Sequence, residues 1–379
     1  MLKRTKLSVS AVLARHRRIL LFPKRGAAIF TNKVVIADGR YLFDSNLMGW
    51  EISHRADLKF VAYCLGARRL DDLADVSTVP QINNKHIYPA LFPRPPLSEQ
   101  RAIADFLDRE TAKIDPLVAK KRTLIERLKE KRTALISRTV TRGLPPDAAR
   151  AAGLDPHPKL KPSGIDWLGE VPEHWDVVEI FRVVGMIQTG PFGSQLHQTD
   201  YIERGVPLIN PSHLVDGVIV PDDKETVTDE TAKRLIRHRL IPGDVVFARR
   251  GEIGRCAVVG EKESGWLCGT GSMVVRFRDC DARYFVRVFR SSGFSALLTM
   301  NAVGTTMLNL NPSILGRMRI PLPPLSEQRT IANYLDLETK KIDQMIAKVE
   351  AAIERLQEYR TALITAAVTG KIDVRGTVV

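Results

Sequence analysis

Basic side chains that could contact DNA follow apolar, β-like runs in both halves of the sequence. Arg249 and Arg250 come directly after the run 244–248, and Lys24 and Arg25 come after a similar run that ends at Pro23. A guanidinium can pair with both acceptors of guanine or with a phosphate, whereas an ammonium binds phosphate as a point charge. We therefore predict that these four residues take part in DNA reading. The alternative is that they only cap turns or touch phosphates.

A second group of polar residues lies in a segment that contains glycines. Thr189, Ser194 and Gln195 alternate with Gly190 and Gly193, and small residues allow a backbone to approach a ligand closely. A glutamine carboxamide can form two hydrogen bonds with adenine in the major groove. We predict that the three polar residues take part in DNA reading, with turn capping again as the alternative.

Motifs that carry catalysis are absent from the sequence. A DNA adenine methyltransferase should contain Asn/Asp-Pro-Pro-Tyr/Phe, and the nearest strings, at 210–212 and 311–313, have serine at the third position. The sequence has no G-x-G-x-x-G or G-x-x-x-x-G-K-[ST] loop and no H-E-x-x-H pair, and none of its four cysteines forms C-x-x-C. We predict no catalytic residue, metal site or cofactor in this chain. An enzyme with an unrecognised motif, for example at the acidic run 221–225, remains an alternative.

The net charge is +14, and the whole excess lies in the first part of the chain. Residues 1–96 carry 16 basic and 7 acidic groups, residues 97–142 carry 12 and 7, and the remaining residues balance to zero. Positive charge favours polyanions such as DNA, although it can also serve only solubility. With 379 residues, 44% of them hydrophobic, the chain is long enough for two or three domains. No apolar run reaches about 18 residues, so we predict no membrane span and a cytoplasmic location.

An internal repeat sets the predicted architecture. Residues 97–141 and 325–369 align with an offset of 228, and about 28 of the 45 positions are identical. Both copies begin Leu-Ser-Glu-Gln-Arg after a pair of prolines, so Ser98 and Ser326 are candidate N-caps of helices. Asp115-Pro116 is a further candidate helix start, which would divide the first copy into a short helix and a long one.

Each copy carries an apolar stripe at the three- and four-residue spacing of a helix that packs on another helix. Two similar stripes in one chain favour an antiparallel pair, although each helix could instead pack on its own neighbouring domain. The predicted core of the pair consists of Leu117, Val118, Ile125, Leu128 and Leu135 in the first copy and Ile346, Val349, Ile353, Leu356 and Leu363 in the second.

The segments between the repeats predict compact α/β domains. Residues 164–322 contain short β-like runs at 177–180, 244–248, 256–259 and 273–277, separated by Gly and Pro turns. Residues 143–163, rich in Ala, Pro and Gly, are predicted to be a linker. Residues 1–93 resemble only the later part of 164–322, because the same offset would place the start of the first domain about 64 residues before Met1. The sequence thus predicts a shortened first domain (1–93), a first helical region (94–142), the linker, a second domain (164–322) and a second helical region (323–379).

These segments together resemble the specificity subunits of type I restriction–modification systems, from about residue 18 onward. The most specific signs are the two Pro-Leu-Ser-Glu-Gln-Arg helix starts; segments 165–175, 189–196 and 243–254 resemble further parts of the second target-recognition domain. The resemblance implies an α/β fold with two target-recognition domains, the first incomplete here, separated by two long helices that pack as an antiparallel coiled coil. Each domain would read one half of a bipartite DNA target.

The resemblance also implies partners that supply the chemistry. Two modification subunits would methylate adenine from S-adenosylmethionine, and restriction subunits would add ATP-driven cleavage with magnesium, as a defence against phage in a bacterium or archaeon. The chain itself would bind double-stranded DNA and no cofactor. The alternative is a scaffold, or a half-functional specificity subunit, in which the shortened first domain has lost DNA reading.

Overall fold

The computed structural model describes residues 17–39, 43–75, 79–301 and 309–374, which form two compact units. The first unit is drawn from residues 1–125 and 347–379, and the second is residues 126–346. The unit boundaries fall inside the two long helices, so each unit contains part of both helices. The chain is a mixture of helices and short strands, as the predicted α/β class requires.

The first unit has one antiparallel sheet of three strands in the order β2-β1-β3. Leu20 and Phe22 of the central strand are buried beneath α1, which begins after the N-cap Asp57. Its elements are β1 (Arg17–Pro23), β2 (Val35–Gly39), β3 (Leu47–Glu51), α1 (Leu58–Arg68), α2 (Asn84–Ile87) and the first part of α3 (Leu97–Arg142).

The second unit is built around an antiparallel sheet in the order β14-β13-β16-β7, beside a smaller sheet in the order β15-β9-β12-β8. Its strands are β4 (Leu160–Pro162), β5 (Glu170–Pro172), β6 (Asp176–Glu179), β7 (Val184–Thr189), β8 (Tyr201–Ile202), β9 (Val206–Ile209), β10 (Leu214–Val215), β11 (Val218–Ile219), β12 (Thr226–Val227), β13 (Val245–Ala248), β14 (Cys256–Val258), β15 (Leu267–Cys268), β16 (Ser272–Phe277) and β17 (Arg319–Leu322). Its helices are α4 (Pro146–Ala151), α5 (Asp229–Arg234), α6 (Ala282–Phe289), α7 (Ser292–Asn301) and α8 (Pro312–Arg317), and α9 (Leu325–Val368) begins here.

The strands predicted from apolar runs are confirmed to within a few residues, and three of them, β13, β14 and β16, are largely buried. All four residues of β13 are buried: Val245 and Phe247 face one apolar cluster, and Val246 and Ala248 face the other. Residues 143–163 contain α4 and β4, and Leu144 and Ala149 are buried in the larger cluster. This segment is therefore packed structure, where its composition predicted a linker.

The two long helices follow a heptad pattern. Positions spaced alternately by three and four residues are buried or half-buried in each copy. In α3 these positions are Thr111, Ile114, Val118, Lys121, Ile125, Leu128, Arg132, Leu135 and Thr139, and in α9 they are Thr339, Ile342, Ile346, Val349, Ile353, Leu356, Arg360, Leu363 and Ala367. Leu117 was predicted to be a core residue, but it is 47% exposed. Leu117 directly precedes Val118, which is a residue of the stripe, so its side chain is rotated by about 100° around the helix axis from the stripe.

Two ion pairs show that the helices run antiparallel. Arg360 Nε lies 2.8 Å from Asp115 Oδ1 in the first unit, and Arg132 Nε lies 2.9 Å from Asp343 Oδ1 in the second. Moving 17 residues forward in α3 therefore corresponds to moving 17 residues backward in α9. Both pairs join the same two repeat positions, because the 228 offset relates Asp115 to Asp343 and Arg132 to Arg360.

The predicted helix boundaries need two corrections. Helices α3 and α9 begin at Leu97 and Leu325, so Ser98 and Ser326 lie within the first turn and are not N-caps. Helix α3 also continues through Pro116, where a break was predicted. Proline removes one backbone hydrogen bond, but the heptad contacts on both sides of it hold the helix together.

In each unit a shorter helix packs on one of the two long helices through equivalent contacts: α1 packs on α3 in the first unit, and α6 packs on α9 in the second. In the first unit the Asp57 amide donates to Gln100 Oε1 (2.8 Å), and in the second the Asp281 amide donates to Gln328 Oε1 (3.0 Å). Both glutamines are 2% exposed, and each donates to the carbonyl of the first proline before its helix. The buried glutamine of the repeat therefore fixes the N-cap aspartate of α1 and of α6.

A carboxylate about two turns further along each long helix strengthens this contact. Asp108 accepts a hydrogen bond from Tyr63 (2.7 Å) and pairs with Lys59 in the first unit. Its repeat equivalent, Asp336, pairs with Arg287 (2.6 Å) and with Arg283 in the second unit. Lys59 and Arg283 stand two residues after the N-cap of their helices, and Tyr63 and Arg287 stand six residues after it.

Candidate nucleic-acid interface

The end of β13 brings the predicted arginines to one place. In the ladder Ala248 pairs with Ser272, the Arg249 amide donates to the Gly271 carbonyl (3.0 Å), and the Arg249 carbonyl accepts from the Leu310 amide (2.9 Å). The next residue, Arg250, forms an isolated β-bridge with Asn309. Backbone bonds on both sides therefore fix where these two side chains leave the sheet.

The two arginines differ in their surroundings. Arg250 is exposed, whereas Arg249 is only 9% exposed. Burial, with a smaller contribution from the positive charge of Arg250, lowers the pKa of Arg249. Arg249 Nε is buried and donates no hydrogen bond. Of these two neighbours, only Arg250 is exposed to solvent.

Thr189 lies at the end of β7, which β16 separates from β13 in the sheet. It pairs with Met273 of β16 and is half-buried. The Gly190 amide donates to the Ser272 carbonyl (3.0 Å), and a Cβ at Gly190 would overlap the Gly269 carbonyl. Gly190 is therefore needed for packing between protein segments, where the sequence suggested approach to DNA.

Ser194 and Gln195 lie in a short 3-10 turn after this glycine, and both are exposed. The Gln195 side-chain oxygen accepts from the Phe192 amide (3.4 Å), and its backbone carbonyl accepts from Arg234 Nη1 (2.7 Å). Gln195 thus caps its own turn in this structure, as the alternative interpretation expects. Its long contact with Phe192 leaves the carboxamide at the surface.

The first unit repeats the strand end around Lys24 and Arg25. The Lys24 carbonyl accepts from the Ile82 amide (2.8 Å), and Arg25 forms a bridge with Gln81. The 228 offset relates Gln81 to Asn309 and Ile82 to Leu310, so the same backbone pattern holds both basic pairs. Lys24 is half-buried and Arg25 is exposed, as with Arg249 and Arg250.

A buried ion pair that the sequence did not predict joins β13 to β16. Asp244, which is fully buried, accepts two hydrogen bonds from Arg276, at 2.7 and 2.8 Å. These bonds to Asp244 raise the pKa of Arg276. Asp244 Oδ2 also accepts from the Ile241 amide (2.9 Å). The only sequence signal was a carboxylate directly before an apolar run, a pattern that surface turns share.

The predicted helix-pair core is largely buried, as the heptad requires. Val118, Ile125, Leu128, Ile353 and Leu363 are buried, and Leu135, Ile346, Val349 and Leu356 are half-buried. Within the described ranges there is no group of three His, Cys, Asp or Glu residues that could hold a metal ion. No described helix is both long enough and apolar enough to cross a membrane.

Comparisons with known proteins agree with these features. Residues 172–355 match the family described as Type I restriction modification DNA specificity domain. The MjaVIII specificity subunit of Methanocaldococcus jannaschii is 25% identical over 303 residues, and the EcoKI specificity subunit of Escherichia coli K12 is 26% identical over 210 residues. These matches cover 78% and 54% of this chain, but only 65% and 44% of the two relatives. A chain solved in work on complex assembly and conformational transition of the type I R-M system has the same fold. Its TM-score is 0.66 at 17% identity, covering 95% of this chain and 84% of that chain.

Proposed function

We propose that the chain recognises DNA sequence for a type I restriction–modification complex, because residues 172–355 match the type I restriction modification DNA specificity domain family. The observation that carries the proposal is this family match over a sheet in which β13 leads directly to the exposed Arg250. The net charge of +14 supports binding to a polyanion.

The chemistry would belong to partner subunits. Modification subunits, two of them in the proposed assembly, would methylate adenine from S-adenosylmethionine. Restriction subunits would cleave DNA with ATP and magnesium. The chain itself would hold no cofactor, and its long helices would provide the surface on which the modification subunits bind. Exposed apolar side chains outside the heptad stripe support this role: Leu117, Leu124, Met345 and Tyr359.

The reading surface would combine a fixed sheet with exposed polar ends. Arg250 leaves a bridged strand end, so its guanidinium reaches DNA from a defined position. Ser194 and Gln195 lie in a turn whose caps are side-chain contacts, which can open when a base offers better partners. Thr189 anchors that turn to the sheet through its pairing with Met273.

The bipartite target is the finer part of the proposal, and the first unit bears on it. The sheet of the second unit has four strands, and its β7 leads into the turn with Gln195. Among the described residues of the first unit, the corresponding sheet has three strands and no equivalent of β7. The second candidate function is a half-functional specificity subunit that reads DNA through residues 164–322 alone.

The proposal is tested by co-expressing the chain with the modification subunit encoded in its host. We expect the two proteins to co-purify and to bind DNA with an affinity that falls steeply as salt rises. Arg250→Met should weaken binding: about 1–3 kcal/mol on the cognate site alone if it reads guanine, or uniformly if it touches phosphate. Ile202→Ser, an exposed change on β8, is the control. If no modification subunit co-purifies, or the complex binds no DNA, the proposal is wrong.

A further inference from the structure

A groove of about 720 Å³ lies along the outer edge of β2 in the first unit. Among the described strands β2 pairs only with β1, so its other edge is open. Val35 and Ile36, whose side chains point to opposite faces of the strand, are both exposed, and so is Phe30. The Asn32 side chain donates to the Gly66 carbonyl (2.7 Å), which ties the start of β2 to α1. The first unit thus presents an apolar strand edge in a preformed groove.

The corresponding strand edge of the second unit is covered by a hairpin. β14 corresponds to β2, since each pairs antiparallel with the strand that precedes a basic pair. The hairpin β10–β11 packs on β14, and Leu214, Ile219 and Ala257 share one apolar cluster. Arg290 of α6 donates to the Asp216 carbonyl in the hairpin turn (2.5 Å) and lies 3.3 Å from its carboxylate. A hairpin with apolar strands and an acidic turn therefore fits this kind of edge.

The first unit has open space where the second unit has the arginine that holds the hairpin. Counted from the N-caps Asp57 and Asp281, Gly66 of α1 takes the place of Arg290 of α6. A Cβ at Gly66 would meet no atom within 4 Å. No described strand of the first unit lies beside the outer edge of β2. The groove is therefore shaped for a hairpin that the described part of this unit does not supply.

The charges of the groove favour an acidic occupant. Four basic side chains line it, with Asp108 as the one carboxylate of the lining. Lys59 pairs with Asp108, whereas Lys33 has no ion pair with any residue that the structure describes. Residues 1–16 carry four basic side chains and no acidic one, so their charge does not match the groove.

The hairpin β10–β11 has the required chemistry on its outer face. Val215 and Val218 stand opposite each other in the ladder, and Val220 lies on the same face because strand side chains alternate. All three valines are exposed, and they point away from the face that packs on β14. Asp216 in the turn and the two aspartates at 222–223 add exposed negative charge. This outer face is therefore apolar and acidic, whereas the groove is apolar and basic.

We propose that the β2 groove of one chain receives the outer face of hairpin β10–β11 of a second copy of this chain. The valines of the hairpin cover Val35 and Ile36, and its carboxylates meet the positive rim at Lys33. Because the contact joins two different surfaces, it is heterologous, and each chain carries both a donor hairpin and an acceptor groove. The contact involves none of the residues assigned to DNA reading.

The contact is tested on the purified full chain by sedimentation velocity at about 1–100 µM, where a small transient interface associates measurably. We expect the wild type to self-associate as its concentration rises. Val218→Lys and Ile36→Glu should each weaken this association at least about tenfold, because each places a charge in an apolar contact and opposite like charge. Met300→Lys and Leu91→Glu are the matched controls: they make the same kinds of change at exposed apolar residues outside the hairpin and the groove, and should associate like the wild type.

Mixing the two variants distinguishes this contact from non-specific association. A Val218→Lys chain keeps an intact groove and an Ile36→Glu chain keeps an intact hairpin, so an equimolar mixture should associate although neither variant does so alone. Association that survives either change, or a mixture that stays monomeric while the wild type associates, would overturn the proposal. A monomeric wild type would overturn it as well. If Ile36→Glu then lowered the thermal unfolding midpoint more than Leu91→Glu does, the occupant would be residues 1–16 of the same chain.

Discussion

At the scale of residues, the sequence located the basic side chains but could not assign their tasks. The string Ala-Arg-Arg-Gly after an apolar run placed Arg249 and Arg250 at a strand end, and the structure shows them there. Their different burial depends on the neighbouring strand and on the segment at Asn309, which are distant in sequence. The partnership of Asp244 with Arg276 was hidden for the same reason, since 32 residues separate the two.

The buried pair of Asp244 and Arg276 predicts a contrast in stability. Arg276→Met leaves the fully buried Asp244 without its partner, which should lower the free energy of unfolding by about 3 kcal/mol. The double variant Asp244→Asn/Arg276→Met should recover part of the loss, because it removes the uncompensated charge. Denaturant titration of the purified chain measures both effects. If Arg276→Met unfolds at the same denaturant concentration as the wild type, the pair does not hold the two strands together.

At the scale of elements, repetition made the long helices predictable. The spacing of apolar residues indicated a helix pair, and the heptad burial of α3 and α9 agrees with it. Helix boundaries predicted from short local sequence signals were less accurate. Serine after proline and Asp115-Pro116 both suggested helix starts, but contacts along the pair outweigh the loss of one hydrogen bond at Pro116. The glutamine contacts with α1 and α6 were not predictable, because they join residues far apart in sequence.

Pro116 allows a prediction that uses the repeat as its own reference. The equivalent residue in α9 is Gln344, and both positions are exposed within a continuous helix. Pro116→Gln should therefore raise the free energy of unfolding, by about 1–3 kcal/mol, because it restores a backbone hydrogen bond and removes a clash with the preceding turn. The reverse change, Gln344→Pro, is the matched control and should lower it. Thermal unfolding with Pro116→Gln at or below the wild-type midpoint would contradict the continuous helix.

At the scale of the whole molecule, composition and resemblance indicated what the structure alone could not. The concentration of positive charge in residues 1–142 pointed to a polyanion, and the repeated helix starts pointed to a family. The structure added a shared backbone pattern around Lys24-Arg25 and Arg249-Arg250, which shows that the two units are built alike at the proposed reading surface. The bases read could not be predicted, because they depend on exposed side chains whose contacts form only with DNA.

The most direct test of the central claim is sequencing of methylated adenine across the host genome, with and without this gene. The account predicts methylation at a defined motif in the wild type and its complete loss in the deletion strain, because the modification subunit would lack its guide. Return of the same motif on complementation with the wild-type gene would complete the result. A methylation pattern that is identical in the wild-type and deletion strains would contradict the account.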